Sequence, residues 1–159
     1  MKILLSPAKM MNLQTEAKWK ATTPQFLGHS QEIMDVMKKM NATDLEKLMK
    51  ISKEIAEMNV ERNQLWRPKP LAKQSIPAVF AFKGEVYRGL DAETLDENAI
   101  EYLNRNAFLL SGLYGILRPL DKIMLYRLEM GSKLDVNGSK NLYGFWKKVL
   151  TPFFNSKLK

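Results

Sequence analysis

The chain has 159 residues, one domain's worth, with 25 Lys plus Arg against 17 Asp plus Glu and a net charge of +8. It contains no Cys and one His, which excludes disulfides, iron–sulfur clusters, thiolate zinc, Cys nucleophiles and any multi-histidine metal centre, and leaves only carboxylate-based metal binding open. With 45% apolar residues the composition is globular, and no apolar run approaches the roughly 18 residues of a membrane span.

The opening apolar run at 1–5 is too short for a signal peptide, so a soluble cytosolic protein with no membrane partner is expected. Residues 2–5 read as a short buried strand stopped by Ser6-Pro7. A polar stretch follows, with Trp19 as its one large aromatic, and Pro24 precedes a helical region in which Phe26, Ile33, Met34, Met37 and Met40 recur at helical spacing. Thr43 and Glu46 match a capping box for a second helix, with Leu45, Leu48, Met49, Ile55 and Met58 facing inward, so an αα-hairpin is expected. Residues 66–70, with two prolines, are a loop. Residues 76–82 resemble a strand, 86–90 a turn or short helix, and 99–110 a helix capped by Asp91 or Thr94, with Ile100, Leu103 and Leu110 buried. Residues 126–130 read as a strand ended by Gly131, and 142–150 as a last helix stopped by Pro152. Phe153 and Phe154 then have nothing after them to pack against.

Charge is uneven along the chain. Residues 1–80 carry 13 basic and 8 acidic groups, 81–132 carry 6 and 8, and 133–159 carry 6 and 1. The basic ends can draw a polyanion, although Lys-rich helices also serve solubility alone.

Four stretches hold residues suited to chemistry. Ser6 and Lys9 follow a strand end, where Ser6 can donate to an anion and Lys9 can pair with a phosphate; they equally suit a plain turn with Lys9 solvated. The S-x-x-K spacing of Ser6 and Lys9 has none of the partner motifs of acyl transfer. Lys83 beside Gly84, with Tyr87 and Arg88 following, can approach a phosphate or carboxylate, yet is no Walker A, and strand–turn geometry also accounts for the glycines. Residues 109–121 read as two short helices joined by a hairpin at Gly112 and Gly115, whose N–H groups can face a phosphate with Ser111 or Arg118 assisting. A helix stop followed by a proline-started helix fits the same residues. In 126–130, Tyr126, Leu128 and Met130 point one way and Arg127 and Glu129 the other. Together with Asp121 and Glu85, these supply the only acid–base or metal candidates, without metal-site spacing. His29 reads as a surface residue and the ten methionines as adaptable core packing.

Taken in order, LLSPAK, the 63–66 stretch, AFKGEVYRGL, LLSGLYGILRPLD, YRLEMG and NLYGFW resemble the YaaA peroxide-stress-response family over nearly the whole chain. The resemblance implies a mixed α/β fold, a sheet with flanking helices and a helix-hairpin-helix-like element beside a positively charged cleft that binds double-stranded DNA. It implies a part in surviving hydrogen peroxide by limiting free intracellular iron. Family members are longer, so residues 1–159 are expected to be a partial, single YaaA-like domain covering about the first three fifths. The family's polar signature falls on Ser6, Lys9, Lys83, Tyr87, Ser111, Arg118, Asp121, Tyr126, Arg127 and Glu129, and its hairpin glycines on Gly112 and Gly115. No catalytic role and no cofactor comes with it. Two other readings stand beside DNA binding. One is an enzyme acting on a phosphate-bearing or nucleotide-like small molecule through Ser6, Lys9, Lys83, Arg127 and Glu129. The other is iron handling by Asp121, Glu85 and Glu129.

Overall fold

Helical and alternating patterns both shape the structure, a computed structural model that describes residues 1–158. In chain order the elements are β1 (Ile3–Leu5), β2 (Met10–Met11), α1 (Leu27–Met37), α2 (Ala42–Met49), α3 (Lys53–Leu65), β3 (Ile76–Pro77), α4 (Ala78–Ala81), β4 (Phe82–Lys83), α5 (Glu85–Leu90), α6 (Glu97–Asn106), β5 (Ala107–Ser111), β6 (Gly115–Leu117), β7 (Lys122–Ile123) and α7 (Leu142–Lys157). The class is mixed α/β with helices flanking short sheets. Among the described residues no helix is long and apolar enough to cross a membrane. Two compact units divide the chain: residues 1–25, 69–110 and 116–125 form the first, and 26–68, 111–115 and 126–159 the second.

In the first unit β1 runs parallel to β5, Ile3 opposite Ala107 and Leu5 opposite Leu109, in the sheet order β1-β5-β6. Residues 107–110 are therefore strand and not the end of a helix. Ala107, Phe108 and Leu109 are all buried, and burial of successive residues suits a strand covered on both faces better than a helix with one solvated side. β1 lies at the end of the sheet and leaves Leu4 53% exposed, so it is less buried than its apolar run suggests. α6 stops at Asn106 and is capped by Asp96, whose carboxylate accepts from the Ala99 N–H at 2.8 Å, in place of Asp91 or Thr94.

The expected strand at 76–82 is broken by a helical turn, α4, between two short ladders: β3 with β7, and β4 with β2, both antiparallel. The backbone N–H groups of Ala78 and Val79 find loop carbonyls at Asp121 (2.8 Å) and Pro119 (3.0 Å), so no ladder partner is required. The turn places Val79 and Phe80 in a core with Ala92, Ile100 and Leu120, against which Trp19, Ile76, Leu90 and Leu103 pack.

Asp121 closes this unit. It is 1% exposed, and its carboxylate accepts from Thr22 Oγ1 (2.6 Å), the Arg118 N–H (2.8 Å), and Arg118 Nη2 and Nε (2.9 and 3.2 Å). Arg118 Nη2 also donates to the Thr23 carbonyl at 3.1 Å. A carboxylate this deep is tolerable only when paired and fully hydrogen-bonded.

The second unit opens with α1, whose Ile33, Met34 and Met37 are buried as the spacing predicts. The capping box of α2 is Asn41 with Asp44 and not Thr43 with Glu46: the Asp44 N–H donates to Asn41 Oδ1 at 2.9 Å and the Asn41 N–H to Asp44 Oδ2 at 3.0 Å. Both pairs are three apart, and the helix simply starts two residues earlier. Lys50 at φ 54° ends α2, and Ser52 caps a separate α3. That break turns Asn59 inward and leaves Met58 41% exposed. Residues 126–130 form no ladder, although Tyr126 and Leu128 are buried while Glu129 is exposed, so the alternation holds in an extended segment. α7 continues through Pro152 to Lys157. Pro152 and Lys148 lie on the exposed side, where water can take the carbonyl left without its helical donor. Continuation seats Phe153 edge-on against Phe26, centroids 5.7 Å apart, and leaves Phe153 and Phe154 half-buried.

Asp121→Ala should lower stability by about 3 kcal/mol, measured by urea denaturation, since it strands several buried donors. Arg118→Ala should be milder, because the Arg118 side chain is 43% exposed and water can replace it.

Candidate functional site

Of the twelve residues singled out in the sequence, Ser6, Lys9, Lys83, Tyr87, Arg118 and Asp121 lie in the first unit, and Ser111, Gly112, Gly115, Tyr126, Arg127 and Glu129 in the second.

In the first unit the β2–β4 ladder sets Lys83 opposite Met10 and carries it to the mouth of a hollow of about 590 Å³, whose lining includes Phe82, Glu85, Tyr87, Arg88 and Asp91. A second hollow of about 500 Å³ is lined by Asn12, Thr15, Glu16, Lys18 and Trp19, and Phe80, Lys83 and Glu93 line both. Lys83 Nζ donates to Thr15 Oγ1 at 3.2 Å, and Thr15 Oγ1 donates to Glu93 Oε1 at 2.8 Å. Thr15 and Glu93 were not singled out in the sequence; nothing in their spacing, 78 residues apart, marks them. The relay holds an ammonium, a hydroxyl and a carboxylate in line, a set able to orient a polar ligand.

Tyr87 OH donates to the Ser6 carbonyl at 2.7 Å, so the opening motif reaches this region through its backbone, while the Ser6 and Lys9 side chains are exposed. Burial pushes the Tyr87 phenol above its ordinary value of 10.0. Arg88 pairs with Glu85 on the surface, where such pairs contribute little. In the larger hollow Lys83 and Arg88 face three carboxylates, Glu85, Asp91 and Glu93, a balance that does not attract a polyanion. Asp121 spends its acceptors on Thr22 and Arg118, and is no open acid, base or ligand. Among the described residues no cluster of three or more His, Asp or Glu could hold a metal ion, so Asp121, Glu85 and Glu129 are not gathered as a ligand set.

In the second unit the predicted glycine hairpin between helices is a tight turn between two strands, β5 and β6. The breakers read correctly as a turn; the flanking residues belong to strands because both neighbours are buried throughout. Ser111 is fully buried, with its Oγ 2.6 Å from Tyr126 OH and accepting from the Tyr114 N–H at 3.0 Å. A Cβ on Gly112 would lie 2.3 Å from the Leu128 carbonyl oxygen, and one on Gly115, at φ +72°, would lie 2.5 Å from the Trp146 ring. Trp146 Nε1 donates to the Gly112 carbonyl at 2.8 Å. Ser111, Gly112 and Gly115 are thus packing residues, with no open face for a phosphate. Trp66 Nε1 donates to Tyr114 OH at 2.9 Å, and the Tyr114 ring meets Tyr126 edge-on at 5.5 Å. That chain holds Tyr126 in place. Burial first, and then the charge of Arg127, lower the pKa of Arg62. Arg62 was not singled out in the sequence, and only its place one residue before the 63–66 motif hinted at it.

Above pH 10 the buried Tyr87 keeps its proton while the unfolded chain loses it, so the unfolded state binds fewer protons and stability falls as pH rises. Tyr87→Phe should flatten that alkaline decline and lower neutral-pH stability by about 1 kcal/mol through the lost bond to Ser6. Urea midpoints between neutral pH and pH 11 measure both.

A family model described as "Peroxide stress protein YaaA" matches residues 1–159. Similar curated proteins include a UPF0246 protein of Aliivibrio fischeri strain MJ11, 43% identical over 159 residues, 99% of this chain and 61% of that protein. Another, from Flavobacterium psychrophilum, is 42% identical over 160 residues, 100% of this chain and 64% of the relative. A third, from Shewanella baltica strain OS195, is 44% identical over 159 residues, 99% and 62%. The chain therefore spans about three fifths of the length of these relatives. Matched along its whole length, the chain belongs to the YaaA peroxide-stress family.

Proposed function

We propose that the chain contributes to its family's response to peroxide stress by binding double-stranded DNA through the backbone phosphates. The observation that carries this reading is the charge of residues 133–159, six lysines against the single carboxylate Asp135. Lys133, Lys140, Lys147, Lys148 and Lys157 are all exposed, and Lys147 and Lys148 share the open side of α7 with Tyr143. Such lysines meet phosphates without reading bases, so binding is sequence-independent. The Gly112–Gly115 turn has no part in it, since both glycines are covered. Limitation of free iron under oxidative stress follows, on this reading, from DNA binding and not from iron held by Asp121, whose carboxylate is occupied by Thr22 and Arg118.

Duplex DNA of mixed sequence should bind with affinity that falls about forty-fold between 50 and 200 mM salt if three phosphates are neutralised. Lys147→Gln with Lys148→Gln should reduce the logarithmic salt slope by about 1.8, measured by fluorescence anisotropy. Binding by the wild type that is insensitive to salt, or a double variant with an unchanged slope, removes the reading.

The Lys83 hollows favour a second reading, a phosphate-bearing or nucleotide-like small molecule with its phosphate on Lys83 and Lys18 and its ring on Trp19. Lys83→Ala should abolish such binding and leave the DNA titration unchanged.

A further inference from the structure

With no Cys in the chain, methionine thioethers are its only oxidisable sulfur. Of the ten methionines, Met34, Met37 and Met124 are buried, and the three most open are Met1, Met10 and Met58, at 90, 71 and 41% exposure. Met1 precedes the first strand, and Met58 lies on the outer side of α3. Met10 is placed differently. It lies in β2, opposite Lys83 of β4 in the antiparallel ladder, and the two residues line the same hollow of about 590 Å³. The neighbouring Met11 lies opposite Phe82 and is half-buried, as the alternation of a strand requires. The Asn12 N–H donates to the Ala81 carbonyl at 3.1 Å, which extends the pairing by one more bond.

Residues directly opposite in a ladder have Cβ atoms about 5 Å apart, within the reach of a methionine and a lysine side chain. A thioether is only a weak acceptor and offers an ammonium little. Lys83 Nζ donates instead to Thr15 Oγ1 at 3.2 Å, and Thr15 spends its own proton on Glu93. One added oxygen changes this balance. A sulfoxide is polar, and its oxygen is an acceptor held opposite an ammonium with three N–H donors, of which Thr15 takes one.

We propose that Met10 is a peroxide-reactive site whose sulfoxide engages Lys83 and so couples oxidation to the hollow. Peroxide is the stress for which the family is named. The Met10 sulfur lone pair attacks one oxygen of hydrogen peroxide and the O–O bond breaks. The proton on the transferred oxygen passes through water to the departing hydroxide. Methionine loses two electrons, the peroxide is reduced, and the products are the sulfoxide and one water. Exposure admits the peroxide and also the reductases that reverse the step, one for each sulfoxide epimer. The site rests on neither the DNA reading nor the small-molecule reading, since it requires only Met10, Lys83 and the oxidant.

The test is timed treatment of the folded chain with hydrogen peroxide, with each sulfoxide located by tandem mass spectrometry. Met10 should oxidise several-fold faster than Met11, and the two rates should converge in urea, where only their sequence neighbourhood remains. Labelling of Lys83 by acetic anhydride, with Lys147 as the reference, should fall about five-fold after oxidation, the effect of one net hydrogen bond holding the ammonium proton. Treatment with both sulfoxide reductases should restore it. Met10→Gln, whose amide oxygen imitates the sulfoxide, should lower Lys83 labelling without peroxide. In Met10→Leu, peroxide should leave Lys83 labelling unchanged. Equal rates for Met10 and Met11 in the folded chain overturn the proposal, as does Lys83 labelling that ignores oxidation. A peroxide effect on Lys83 that persists in Met10→Leu also overturns it, and assigns the effect to another methionine.

Discussion

A β-carbon at Gly112 would sit 2.3 Å from the Leu128 carbonyl oxygen, and much of the second unit is arranged around that closeness. The turn can lie under residues 126–130 only because it lacks side chains where backbone meets backbone. Ser111 then reaches Tyr126, Trp146 reaches the Gly112 carbonyl, and the Trp146 ring covers Gly115. Each bond is buried, and in a dry setting each is strong when made and expensive when left unmade. The polar atoms of the turn are thus spent internally, and Trp66, Tyr114 and Tyr126 are joined in one run of contacts beside it.

This arrangement separates two uses of polarity that look alike in a sequence. Ser111, Asp121 and Tyr87 are polar groups engaged by neighbours that the chain itself supplies. Lys147 and Lys148 are exposed cations without an equivalent partner among the described residues. The chain belongs to the YaaA peroxide-stress family, and the distribution of unspent charge indicates where to look for its ligands. The Lys83–Thr15–Glu93 relay lies between the two cases, its ions partly matched yet lining a hollow.

Helix faces were legible where one side was solvated: Ile33, Met34, Met37, Leu45 and Ile100 are buried as their spacing indicates. Boundaries were not, for definite reasons. Ala107–Leu109 continued a helical pattern, but β1, more than a hundred residues upstream, supplied a strand partner that no local rule contains. Residues 76–82 had β-branched and aromatic content, yet loop carbonyls at 119 and 121 took their N–H groups and allowed a helical turn. The motifs carrying the family resemblance were visible as a set, while their roles were not, because burial decides whether a glycine turn faces a phosphate or an indole ring. Of the residues singled out in the sequence, Lys83 lines both hollows of the first unit and Tyr87 lines one of them. Thr15 and Glu93, which join Lys83 in a relay, were hidden by distance along the chain.

The clasp between Thr22 and Asp121 joins residues 99 apart, and the β1–β5 ladder spans a similar interval. Closing a loop of that length costs about 4 kcal/mol of chain entropy beyond a constant term, before any of the contacts it makes can offset it. The first unit is assembled from three separate stretches of chain, and residues 26–68 intervene before its second stretch begins. During synthesis its N-terminal strand emerges long before either β5 or Asp121 exists. Strand β1 and the polar segment after it must wait for the ribosome to deliver their partners, which makes this part of the molecule a late and slow step in folding.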